Sequence, residues 1–152
     1  VRKNLTVLNA LNFGGKFNLY TISHLAAQSY EVSVKSKAEI VLLANDAKRE
    51  QIFFAMYQFK KNSGVCCLVK DSIISPEEVI KPTVPNDQSL CLAGDAWNKY
   101  QQRFPEKLRK ISPVKVEPVL ASTLISLSQS YSSLMEPATK NTQPNYLRHP
   151  VN

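Results

Sequence analysis

Asp46 and Asp95 each stand where an apolar run of strand length ends, after Ile40 to Asn45 and after Ser89 to Ala93. Functional acids of α/β folds gather at such places, because ligands bind outside the carboxyl ends of the strands. The position also suits a plainer task. An Asp side chain accepts backbone N–H bonds two residues on and so opens a turn. The turn role asks less of the sequence, and both residues are expected to be structural turn residues.

Other chemistry-bearing residues form no constellation. Glu77-Glu78 are paired carboxylates, but they follow Ser75-Pro76, a cap and a first-turn proline. They are expected to complement a helix dipole. His24 and His149 belong to no paired-histidine motif, so no metal is expected. Cys66, Cys67 and Cys91 are an odd count without a spacing motif. Strand neighbours point to opposite faces, so Cys66 and Cys67 are poorly placed to bridge. Reduced thiols in a cytosolic protein, acting as small apolar residues, are expected. Gly14-Gly15 follow a helix, whereas a phosphate cradle needs glycines leading from a strand or hairpin. With no nucleophile elbow, P-loop or dinucleotide fingerprint either, the residues predict no catalytic side chain and no cofactor.

Formal net charge is +7, with one basic group at Lys48, Arg49, Lys60 and Lys61 and another at Lys99, Arg103, Lys107, Arg109, Lys110 and Lys115. Such a balance can steer a chain to nucleic acid. A solvated basic surface is the simpler account, since no RNA-binding motif with interleaved aromatics is present. No apolar run is long enough to span a bilayer.

The elements that must position these residues centre on Ile40 to Phe59. Ile40–Asn45 and Gln51–Phe59 read as two strands, joined through the polar stretch Asp46 to Glu50 into an antiparallel hairpin. Phe53, Ala55, Tyr57 and Phe59 share one face of the second strand; Ile52, Phe54 and Met56 share the other. Both faces are apolar, so both should be covered by helices. Val65 to Ile74 adds a third strand. A helix is expected over residues 1–13, with Leu5, Leu8 and Leu11 or Asn12 on one side and Val7 and Ala10 on another. Phe17 to Ile22 reads as a strand, and Ser23 as the cap of a helix to Ser33 with Leu25, Ala26 and Ser29 inward. Helices are predicted from Ser75 to near Lys81, over Ala96–Phe104, and from Glu117 or Pro118 to about Leu134. Trp97 is expected to be a core anchor, beside Tyr100 and Phe104. The last helix should turn Val119 or Leu120, Leu124, Leu127 and Tyr131 inward. Lys107 to Val116 reads as a short strand, and the tail from Glu136 as extended. The 152 residues can build a proper core, and the class is α/β with a mixed sheet, an antiparallel meander flanked by helices.

Several stretches resemble one family. Asn45-Asp46-Ala47-Lys48 followed by Gln51-Ile52-Phe53-Phe54-Ala55-Met56-Tyr57 resembles the hairpin of the TsaB (YeaZ) family, with its Asp-Ala-Arg, Glu-Val-Tyr and final Tyr. Gly94-Asp95-Ala96-Trp97 with Tyr100 resembles that family's Gly-x-Gly-Trp element. Pro144-Asn145-Tyr146-Leu147-Arg148 resembles its Pro-x-Tyr-Leu-Arg. Val1-Arg2 resembles the end of its Gly-rich loop, and Ile22-Ser23-His24-Leu25 its Val-Ser-Thr-Leu. Order and approximate spacing hold along the whole chain. The chain departs from the pattern at Lys48 for Arg, Gln51 for Glu and Ala96 for Gly.

The resemblance implies the second half of an actin/Hsp70-like ATPase (ribonuclease H-like) fold. Residues 1–22 would end a first half, 23–135 would form a degenerate second domain, and 136–152 an extended tail. A start at Val-Arg-Lys fits a fragment or processed product. The resemblance also implies a non-catalytic scaffold subunit of the complex that makes threonylcarbamoyladenosine in tRNA. Its partners would be TsaD and TsaE, with self-association as a further option and tRNA met indirectly. The side of the first helix bearing Leu5, Leu8 and Asn12 would face the partner. The family's second phosphate-contacting hairpin carries Asp followed by glycines in active members of the fold; here Ala47-Lys48-Arg49 follow Asp46. Two other functions stay open: a glycoprotease-like hydrolase and a direct tRNA-binding module.

Overall fold

A computed structural model describes residues 7, 8, 10, 13, 18–60, 64–80, 82, 89–138 and 147. Its centre is a four-stranded mixed sheet in the order β4-β3-β2-β5. Strands β2 (Ile40–Lys48), β3 (Gln51–Lys60) and β4 (Gly64–Ile74) form the antiparallel meander, and β5 (Leu90–Ala93) joins β2 in parallel. A separate two-stranded pair links β1 (Tyr20–Thr21) to β6 (Glu136–Pro137). The α/β class and the meander agree with the sequence pattern.

The alternation along β3 divides the core as its residue types dictate. Ile52, Phe54 and Met56 enter one cluster with Leu42, Leu92, Trp97, Phe104 and Leu108. Ala55, Tyr57 and Phe59 enter the other, against Leu25, Ala26 and Val32 of α1 (His24–Ser36). Ser23 caps that helix, its hydroxyl accepting the Ala26 N–H at 3.1 Å. Leu25, Ala26 and Ser29 face inward. The helix outruns the predicted end at Ser33 and stops at Lys37, whose φ of 59° is left-handed.

Other boundaries differ for identifiable reasons. The predicted helix after Ser75 is a single 3-10 turn, Pro76–Glu78. Val79 then turns extended and inserts into the core, which ends the turn. The expected helix to Phe104 breaks into α2 (Ala96–Lys99) and a 3-10 turn, Gln101–Arg103. Pro105 follows, and a residue before proline is pushed to extended backbone, as Phe104 is. The stretch read as a strand begins with a helical turn, α3 (Glu106–Arg109), and keeps only one parallel bridge, Val114 to Ala93. The last helix, α4 (Ala121–Ser130), is shorter than expected and rotated. Thr123 and Leu127 face in, while Leu120 and Leu124 are exposed. The Thr123 hydroxyl donates to Glu31 of α1, on the side where Leu127 is buried.

Of the first predicted helix, Val7, Leu8, Ala10 and Phe13 are helical and exposed. Leu5, Leu11, Asn12 and Gly14-Gly15 lie outside the described residues, as do Phe17, most of the tail and the Pro-Asn-Tyr stretch. Among the described residues no helix is long and apolar enough to cross a membrane.

Candidate functional site

Strands β2 and β5 run parallel and end side by side, so the loops after them share one edge of the sheet. The β2 end carries Asp46, and the β5 end carries Asp95. The two meet directly: the Asp46 N–H donates to Asp95 Oδ1 at 2.8 Å. Gly94 makes the approach feasible. Its φ is +109°, and a Cβ there would lie 2.1 Å from the Ala44 carbonyl oxygen.

The Asp46 carboxylate is the hub of this edge. Its Oδ1 accepts the Lys48 N–H at 2.9 Å and the Tyr100 hydroxyl at 2.8 Å. Its Oδ2 accepts the ammonium groups of Lys99 at 2.6 Å and Lys48 at 2.9 Å. Lys99 first, then Lys48, hold this carboxyl well below the usual carboxylate range. Asp46 in turn raises the Lys99 ammonium above its ordinary value. The Lys48 N–H bond is the two-residue turn contact expected from an Asp. The other partners come from fifty or so positions away and have no local sequence signal. Sequence reasoning missed Lys99 and Tyr100 as members of this site.

The turn is tighter than the sequence suggested. β2 continues through a bulge at Ala47, and only Arg49-Glu50 lie outside the strands. Lys48, Arg49 and Glu50 all have left-handed φ, at 63°, 52° and 60°. Such backbone costs a residue with a Cβ roughly 1–2 kcal/mol. Tertiary bonds hold it: Asp46 grips the Lys48 N–H, and Arg103 Nη1 donates to the Glu50 carbonyl and carboxylate at 3.4 and 3.3 Å. Arg103 also forks onto both oxygens of Glu77, which keeps that carboxyl below its ordinary range. Glu77 therefore serves a tertiary ion pair rather than a helix dipole.

Chemically, the edge is an acid filled by its own chain's donors. The Lys48 N–H and two ammonium groups point at Asp46. Trp97 sits beneath, 4% exposed, stacked on Phe104 with ring centroids 4.1 Å apart and its Nε1–H donating to the Ala93 carbonyl at 2.9 Å. The described residues contain no group of three His, Cys, Asp or Glu placed to hold a metal.

Two solved structures superpose on this chain. One is YeaZ and the other a protein with similarity to it. YeaZ from Pseudomonas aeruginosa superposes with a TM-score of 0.64 at 26% identity, over 85% of this chain. A protein with similarity to peptidase YeaZ from Pseudomonas aeruginosa superposes with a TM-score of 0.73 at 25% identity, over 97% of this chain. The chain spans 67% of the latter and 59% of YeaZ itself. No family model matches, and no curated protein matches. The YeaZ neighbours carry the actin/Hsp70-like nucleotide-binding fold, and this chain shares it.

A second polar cluster lies on the opposite side of the sheet. Asp71 of β4 accepts the hydroxyls of Ser23 and Tyr57, the latter at 3.0 Å. Burial, then the Asp71 charge, pushes the Tyr57 hydroxyl well above its ordinary value. Of the three cysteines expected as small apolar core residues only Cys91 is buried; Cys66 and Cys67 are exposed, because β4 is an edge strand, and partial desolvation still pushes the Cys67 thiol upward. The Asp71 carboxylate takes both hydroxyls, one of them from the residue that caps α1, and so ties α1 to the sheet.

Proposed function

We propose that this chain is a binding scaffold of the YeaZ (TsaB) kind, which joins TsaD and TsaE in the cytosol to form threonylcarbamoyladenosine in tRNA and performs no chemistry itself. The observation that carries the reading is the superposition on the YeaZ-like structure over nearly the whole chain. The filled Asp46 site supports the non-catalytic part. A nucleotide phosphate at this hairpin would have to displace a carboxylate held by four donors. The partner-facing side is the first helix, on its Leu5, Leu8 and Asn12 side. Leu8 is 41% exposed there, an apolar side chain available for burial against another protein.

Co-purification of the full chain with tagged TsaD tests this. Wild type is expected to be retained and Leu8→Glu to be lost, with an unchanged circular dichroism melt because the side chain is exposed. Failure of the wild type to co-purify, or peptide release from a protein substrate by the chain alone, would overturn the scaffold reading.

A further inference from the structure

We draw no further inference here: the strongest candidate, the outer face of α4 and its cap, where Leu120, Leu124 and Ile125 are exposed on a stretch, 118–135, that carries no charged side chain, is an apolar surface, and nothing in the structure shows what covers it.

Discussion

Between Ile40 and Ala44, strand β2 is buried on both faces, and every side chain there is apolar. From Asn45 to Glu50 the same strand runs into polar groups, and its conformation depends on bonds to residues of the β5–α3 segment. The first region is held by area removed from water, a force without direction that tolerates small shifts. The second is held by directed bonds to the carboxylates of Asp46, Asp95 and Glu50, which fix geometry and contribute little net stability at an exposed edge. The contrast explains how the frame can hold while the geometry of the hairpin end rests on a few directed bonds.

The corner at Gly94, where the two regions meet, should be the most sensitive point. Gly94→Ala places a Cβ against the Ala44 carbonyl and forces left-handed backbone on alanine. The expected cost exceeds about 4 kcal/mol, so the variant should show no cooperative urea transition. A normal transition would mean that β5 can shift relative to β2, and the two regions would not be rigidly coupled.

Next comes the interior itself. Trp97→Ala removes the largest ring of its face and the Phe104 stack, at an expected cost of roughly 3–5 kcal/mol in denaturant. Trp97 is the sole tryptophan, so wild-type emission reports on this site alone. Emission typical of an indole in water would contradict the buried position.

The smallest effect belongs to the edge, and pH separates it from the others. The folded-state pKa of Asp46 lies below its unfolded value. Its contribution is therefore fully present above the unfolded value and is lost as pH falls toward the folded one. Asp46→Asn should melt slightly below wild type at neutral pH. The gap should close on acidification below about pH 4, the ordinary range of an aspartate. A gap that stays constant into acid would show that the carboxylate charge does not hold the turn.

Much of the frame was legible without coordinates. The alternation of Phe53, Ala55, Tyr57 and Phe59 against Ile52, Phe54 and Met56 determined a central strand covered on both sides, because a pleat sends neighbours to opposite faces. Ser23 marked the start of α1 through a bond to its own third neighbour. Both signals are local, and local periodicity reports them.

What the tertiary structure decided is the remainder. The inner side of α4 carries a Thr123–Glu31 bond between distant helices, and an apolar stripe in sequence cannot foresee a polar contact there. The break after Glu78 follows from where Val79 must insert, whereas Pro105 marked the extended Phe104 in the sequence itself. The Asp46 edge is the clearest case. Its aspartate and turn bond were visible in the sequence. Its partners Lys99 and Tyr100 were not. Side chains more than fifty positions apart share no local pattern, and only the parallel pairing of β2 with β5 sets them within hydrogen-bond reach.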